Sequence, residues 1–162
     1  MELNQDEVNS LFMLKKFPCQ TAQIDFPIQG ELIVIELQNE TGRIKFQSDI
    51  NRANKIANKI TFQLRHKNIY SIRRLDLNGN HKNPPAPIPD EIFRGYEEYV
   101  FNRQDHVHFY VGGYNERWAL PLSELQEIGI LETDDIYEKM SKFFKYCGVE
   151  NLELKITKHL LL

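Results

Sequence analysis

The side chains best suited to chemistry are concentrated in residues 73–118, around two histidines. His106 and His108 are two positions apart in a segment whose residues alternate in character, which is typical of a β-strand. Alternate residues of a strand point to the same face, and their Cα atoms lie about 7 Å apart. Both imidazoles can therefore reach one metal ion or one substrate group, and this pair is the centre of the predicted site.

Further polar and aromatic side chains surround the histidine pair in the sequence. The candidates are, in chain order, Arg74, Asp76, His81, Asn83, Tyr110 and Tyr114. Tyr110 has the same parity as the two histidines, which predicts that it shares their face of the strand. Prolines and glycines are frequent in the connections between the candidates, and sites are often built beside such loops.

One chemistry that these residue types fit is the cleavage of RNA by transesterification. His106 and His108 would act as general base and general acid, with assistance from His81. Arg74 would donate two hydrogen bonds to the phosphate charge of the transition state. The predicted substrate-binding residues are Tyr110, Tyr114, Asp76 and Asn83. This hypothesis requires no cofactor.

Two other interpretations of the histidine pair stay open. A His-x-His pair on a strand is also a metal-ligand pattern, and His81 or Asp76 would then supply a third ligand. Alternatively, the face shared by His106, His108 and Tyr110 is only a solvated or interfacial surface of the sheet. The protein would then be a non-catalytic binding protein, such as an accessory, immunity or anti-defence protein. Tyr114 and Trp118 also fit a packing role, because large aromatic side chains usually lie in cores.

The composition predicts one globular domain over residues 1–162. Hydrophobic residues make up 41% of the chain and charged residues 27%, which is ordinary for globular proteins. The net charge of −3 argues against a general nucleic-acid binder. A local basic patch would still allow RNA as a partner, and a protein partner is equally open.

The expected cellular location of the protein follows from the kinds of segment that the sequence lacks. It has no apolar run of about 18 residues, so we expect no membrane association. Its first residues lack the character of a signal peptide. Cys19 and Cys147 have no metal-type spacing, which favours free thiols in a reducing compartment. We therefore expect a cytoplasmic protein.

The strands that must position the candidate residues follow from hydrophobic alternation. Alternating or β-branched segments predict strands over residues 31–38, 43–47, 60–65, 69–77, 106–111 and 118–122. The first two are predicted to form a hairpin around Gly42. A loop is expected over residues 78–89. The residues predicted to face the core from the strand of the histidine pair are Val107, Phe109 and Val111.

Two helices are predicted to pack on this sheet. The N-terminal helix begins with a capping box, because Asn4 can cap it and Glu7 follows three residues later. The C-terminal helix covers residues 134–147, with Thr133 as its cap and Gly148 at its end. The fold class is therefore α+β, with an antiparallel sheet of about five to six strands and a C-terminal amphipathic helix packed on it.

The edges of the sheet leave the oligomeric state open. Residues 152–157 are predicted to form a further edge strand. Unpaired edges at Glu31 and Leu154 would permit a dimer, and nothing in the sequence requires one.

The order of motifs resembles that of a known family. The matching residues are Asp49-Ile50-Asn51-Arg52, Lys59 to Arg65, Arg74-Leu75-Asp76, Gly79, His81, Asn83-Pro84, His106-Val107-His108-Phe109-Tyr110, Gly113-Tyr114 and Trp118-Ala119. They resemble a family of small bacterial and prophage proteins of unknown function, over about residues 30–122. The chain departs from that pattern by a longer insertion around residues 93–102 and by Asp105 where relatives have proline. The resemblance implies a mobile-element or defence setting and no particular activity. The residue kinds are also similar to those of small RNase toxins of the barnase and colicin type.

Overall fold

Two helices and nine strands follow one another in the computed structural model, which describes residues 2–20, 24–56, 58–152 and 154–155. The helices are α1, Gln5–Met13, and α2, Ile136–Tyr146. The strands are β1, Phe17–Pro18; β2, Ile24–Asp25; β3, Leu32–Gln38; β4, Lys45–Asn51; β5, Ile60–His66; β6, Tyr70–Lys82; β7, Val100–Val111; β8, Asn115–Pro121; and β9, Leu154–Lys155. Neither described helix has the length and hydrophobicity that crossing a membrane requires.

Seven of the strands form one sheet in the order β1-β3-β4-β5-β6-β7-β8, and every neighbouring pair is antiparallel. The α+β class and the antiparallel sheet are as predicted, but the predicted count of five to six strands is too low. The additional strand is β1, which pairs with Leu37 and Gln38 and is too short to show alternation. Strands β2 and β9 form a separate parallel pair. Of the predicted tail strand over 152–157, residues 153, 156 and 157 lie outside the described residues.

The sheet has one apolar and one polar face, and α2 packs on the apolar one. Phe62, Leu75 and Val107 stand side by side on β5, β6 and β7, and all three are fully buried. The ring centroids of Phe143 and Phe144 on α2 lie 6.4 and 6.3 Å from that of Phe62. The prediction that Val107 faces the core is confirmed, and the intervening residues of these strands form the polar face.

The helix starts follow local hydrogen-bonding rules. At α1 the Asn4 side chain accepts from the Glu7 backbone N–H, and the Glu7 side chain accepts from the Asn4 N–H, as predicted. At α2 the predicted cap, Thr133, is wrong, because Asp135 takes that position and its side chain accepts from the Glu138 N–H. Asp135 is the better cap because Glu138, three residues later, accepts from its backbone N–H and completes a capping box.

The hairpin formed by β6 and β7 is longer than the sequence predicted. Strand β6 continues to Lys82 and β7 begins at Val100, so the predicted loop is wrong for residues 78–82. The pairing register shifts between Asp76 and Gly79 and again between Gly79 and His81. Such irregularities interrupt the alternation of side chains, which is why the sequence pattern ends before the strand does.

A buried lysine joins α1 to the end of α2. Lys16 is fully buried, and its Nζ donates to the carbonyls of Phe12, Leu14 and Cys147 at 2.9, 2.7 and 2.9 Å. Burial lowers the pKa of Lys16 to about 8. The three carbonyl acceptors match the three N–H donors of the ammonium group, so the side chain has a structural role.

Candidate functional site

The candidate site is built on the adjacent strands β6 and β7. Asp76 pairs with His106, and Arg74 pairs with His108, in antiparallel register. Directly opposed residues of an antiparallel pair point to the same face, with Cβ atoms about 4.5–5.5 Å apart. The strand register therefore places these four predicted site residues together on the polar face.

The histidine pair is buried, so the interpretation of this face as a solvated surface is wrong at these two positions. His106 and His108 are 0% and 1% exposed. The Phe101 ring stacks on the His106 ring at 4.4 Å between centroids, and the His81 ring lies 4.5 Å from that of His108. Phe101 and His81 both belong to the distal part of the β6–β7 hairpin, which bends over the polar face and covers the imidazoles.

Backbone carbonyls fix the orientation of both imidazoles. His106 Nδ1 lies 2.7 Å from the carbonyl oxygen of Gln104, and His108 Nδ1 lies 2.7 Å from that of Glu116. A carbonyl can only accept, so each Nδ1 carries the hydrogen. In the neutral rings each Nε2 therefore presents a lone pair. Histidine ligands of metal ions are usually oriented by a hydrogen bond of this kind.

The two lone pairs point at one small region beside a carboxylate. His106 Nε2 and His108 Nε2 are 3.1 Å apart, and Asp76 Oδ2 lies 3.6 and 3.4 Å from them. Two nitrogen lone pairs at this separation repel unless a cation lies between them. Burial lowers the pKa of His106 to about 4, so this ring is neutral at neutral pH. Three atoms of the kinds that bind metal ions therefore lie around one point.

The triangle formed by these three atoms has the dimensions of a tetrahedral zinc site. Zinc lies about 2.0–2.1 Å from nitrogen and oxygen ligands. A point about 2.05 Å from Asp76 Oδ2 and both Nε2 atoms lies about 0.6 Å from their plane, where an ideal tetrahedron requires about 0.7 Å. The implied ligand–metal–ligand angles are about 98°, about 112° and about 123°, which average close to the tetrahedral value. Asp76, His106 and His108 can therefore hold one metal ion between their ligand atoms.

The Asp76 carboxylate is held by two further groups. The Thr61 hydroxyl donates to Oδ1 at 3.0 Å, and Arg74 Nη2 donates to Oδ2 at 3.1 Å. Burial alone would raise the pKa of Asp76, but its close contact with His108 and the charge of Arg74 outweigh burial and hold the pKa well below its usual range. The carboxylate is therefore ionised, as a metal ligand must be.

Arg74 forms the side of the cluster that is nearest to solvent. Its Nη1 donates to Glu116 Oε1 at 2.8 Å, and its Nη2 lies 3.0 Å from His108 Nε2. The side chains of Arg74 and Glu116 are 23% and 33% exposed, whereas both histidines are almost fully buried. Access to the ligand atoms therefore runs past the guanidinium.

Gly79 permits the close packing beneath the site. A Cβ atom at this position would lie 3.0 Å from His106 Cε1 and 3.2 Å from Asp76 Cβ. Neither neighbour is the free end of a flexible side chain, because one is a ring atom of a buried histidine and the other is the first side-chain carbon of Asp76. A side chain at position 79 would displace them.

His81 and Asn83 cover the outer edge of β8. His81 Nε2 lies 2.8 Å from the Arg117 carbonyl oxygen. The Asn83 amide accepts from the Ala119 N–H and donates to the Ala119 carbonyl, both at 2.9 Å, and also donates to the Tyr96 carbonyl. Burial lowers the pKa of His81. His81 lies over the cluster, but its Nε2 is used at the strand edge and Asn83 is occupied by backbone groups.

The two predicted tyrosines have packing partners away from the cluster. The Tyr110 hydroxyl donates to the Leu3 carbonyl at 3.1 Å, and its ring meets that of Tyr70 at 6.4 Å. The Tyr114 ring lies edge-on to the buried Trp118 ring at 6.1 Å. The structure therefore brings neither hydroxyl to the histidine pair among the contacts of the described residues.

Sequence reasoning missed three contributors to the cluster. Thr61, Phe101 and Glu116 come from β5, β7 and β8 and act through their partners in space. Thr61 is one of the polar residues that alternate with apolar ones in a predicted strand, so the sequence indicates that it lies on the polar face. Its position opposite Asp76 depends on the strand register, which alternation alone does not determine.

Comparison with known proteins identifies a family. No curated protein and no solved structure matches the chain. Residues 3–149 match the profile of a family described as a family of unknown function, DUF6978. The match includes every residue of the cluster. The chain belongs to this family of unknown function.

Proposed function

We propose that the protein binds a divalent metal ion of the zinc class through Asp76, His106 and His108. The observation that carries the proposal is the triangle of ligand atoms, with sides of 3.1, 3.4 and 3.6 Å. Both imidazoles are oriented by carbonyls, and the carboxylate is oriented by Thr61. Three protein ligands leave one position of a tetrahedral ion for another ligand, which is typical of catalytic rather than structural zinc sites.

Cobalt binding tests the proposal. Co²⁺ replaces Zn²⁺ in such sites, and its visible absorption reports a tetrahedral environment. We expect the wild-type protein to bind one Co²⁺ with this spectrum, and Zn²⁺ to displace it. Asp76→Asn keeps the shape of the side chain and its bond from Thr61 but removes the charge, and it should lose the spectrum. His81→Gln is the matched control, because this ring lies beside the cluster and is not one of the three ligands.

Unfolding supplies a measurement that needs no variant. A metal that binds only the folded protein stabilises it by about 2.7 kcal/mol at a free concentration 100 times its Kd. Urea unfolding of the wild type with and without Zn²⁺ should show this increase. Stoichiometric Co²⁺ binding by Asp76→Asn, or no binding by the folded wild type, would overturn the proposal.

A His-dependent phosphodiesterase is the second candidate, and the contact between Arg74 Nη2 and His108 Nε2 at 3.0 Å favours it. An arginine beside the histidine pair is what the cleavage of RNA requires. The two imidazoles now touch each other, so a phosphate between them requires the rings to separate. RNA cleavage by the wild type and by His106→Ala, with and without a chelator, separates the two candidates. Cleavage that survives the chelator and is lost in the variant supports the metal-free reaction.

A partner-binding role for the same face is less well supported, because the hairpin covers the imidazoles that such a partner would meet. The cytoplasmic location and the mobile-element or defence setting stay predictions.

A further inference from the structure

Arg74 occupies lone pairs that a metal ion would need. A neutral imidazole with hydrogen on Nδ1 has a single lone pair on Nε2. That lone pair of His108 faces Arg74 Nη2 at 3.0 Å, and the same Nη2 donates to Asp76 Oδ2 at 3.1 Å. An ion bound to both atoms therefore requires the guanidinium to give up these contacts.

The structure provides a second position for the displaced guanidinium. Glu116 Oε1 already accepts from Arg74 Nη1 at 2.8 Å. The other carboxylate oxygen, Oε2, is buried without a hydrogen-bond partner among the described residues. Arg74 Nε lies 3.0 Å from Asp76 Oδ1 as an ion pair, but without the geometry of a hydrogen bond. A small outward movement allows the guanidinium to pair with both oxygens of Glu116, which is the preferred geometry for arginine and a carboxylate. The guanidinium then stays beside the open position of the ion, on the solvent side.

The charges around that position favour an anion. A divalent ion and Arg74 contribute +3, and Asp76 and Glu116 contribute −2, which leaves +1 with both histidines neutral. Arginine and metal ions both bind the oxygens of phosphates. We propose that the fourth ligand of the ion is a phosphate or phosphate ester, held jointly by the metal and by Arg74. This inference rests on the metal site proposed above.

The test uses the full-length protein loaded with Co²⁺ and titrated with inorganic phosphate at constant ionic strength. We expect phosphate to change the visible spectrum of the wild type. In Arg74→Gln we expect Co²⁺ binding at least as tight as in the wild type, because the competing guanidinium is gone. Phosphate affinity should fall by about tenfold or more in this variant, which corresponds to ~1.4 kcal/mol. Arg94→Gln removes an exposed charge paired with Glu91 and should leave phosphate affinity unchanged.

The outcomes separate this inference from the proposal on which it rests. Equal phosphate affinity in Arg74→Gln and wild type, or acetate binding as tight as phosphate, overturns the inference and leaves the metal site intact. Loss of Co²⁺ binding in a folded Arg74→Gln protein contradicts the displacement of the guanidinium. No Co²⁺ binding by the wild type overturns the metal site and this inference together.

Discussion

Replacing Gly79 by alanine tests the packing under the ligand residues. The new Cβ would lie 3.0 Å from His106 Cε1 and 3.2 Å from Asp76 Cβ. Cβ contacts of 3.0–3.4 Å are tighter than ordinary van der Waals contact, so the His106 ring and the Asp76 side chain must move by a few tenths of an ångström. The backbone at Gly79 is not in the left-handed region, so the effect comes from space and not from backbone strain.

The structure sets the size of both expected effects. His106 Cε1 is bonded to Nε2, so the proposed ligand atom moves with it. Metal sites tolerate displacements of about 0.2 Å in ligand distances, and the required shift exceeds this. We expect the affinity for Co²⁺ to fall at least about tenfold, or ~1.4 kcal/mol. Overpacking of a filled interior should also lower the free energy of unfolding by about 1–3 kcal/mol.

The matched control is Gly112→Ala, in the turn between β7 and β8. A Cβ at Gly112 has no atom within 4 Å, and this glycine also has no left-handed backbone. Both variants should be compared with the wild type by Co²⁺ titration and by urea unfolding. Wild-type values for Gly79→Ala in both measurements would refute the described packing, and an equal loss in Gly112→Ala would show that the effect is not local to the cluster.

Three further predictions concern groups around the cluster and the core. Thr61→Val removes the hydrogen bond to the ligand carboxylate and should weaken Co²⁺ binding by about 10–100-fold in a metal titration, whereas Thr61→Ser should retain it. Lys16→Met leaves three carbonyls without their donor and should lower the free energy of urea unfolding by about 1–3 kcal/mol. Lys15→Met, at an exposed neighbouring position, should change it by less than about 0.5 kcal/mol. Asn83→Ala leaves the N–H and carbonyl of Ala119 unpaired and should cost about 2–4 kcal/mol in the same assay.

Each of these predictions has a clear contradicting result. Equal metal affinity in Thr61→Val and Thr61→Ser would mean that the hydroxyl does not orient the carboxylate. Equal stability of the Lys16 and Lys15 variants would contradict the role of the buried ammonium. Wild-type stability of Asn83→Ala would mean that solvent replaces the amide at the edge of β8 without cost.

Much of the candidate site followed from side-chain parity in two strands. Arg74 and Asp76 share one face of β6, and His106 and His108 share one face of β7, and both facts are visible in the sequence. The register that sets Asp76 opposite His106 is not, because it depends on pairing between segments 30 residues apart. The alternation of side chains in each strand therefore identified four residues of the cluster, but it did not give the distances between residues of different strands.

Burial was the main error, and its cause is local. Polar residues at every second position of a strand normally indicate a solvent-exposed face, and the pattern of β7 fits that rule. One covering residue, His81, lies beyond Asn78 and Gly79 in a stretch of asparagine, glycine and histidine that is typical of a loop. The other, Phe101, lies before the predicted strand over residues 106–111. In the structure this stretch continues β6 through two register shifts and returns over the face. Single-strand periodicity cannot show that a hairpin bends back on its own sheet.

The amide of Asn83 has a consequence for self-association. Its acceptor and donor bind the outward-pointing N–H and carbonyl of Ala119, as the backbone of an eighth strand added to the sheet would. His81 meets the Arg117 carbonyl two residues away on the same edge. A second copy of the chain that approached β8 would find these backbone groups already satisfied. Side chains from a single short segment thus occupy these backbone groups at the outer edge of β8, which disfavours the addition of a further strand at Arg117 and Ala119.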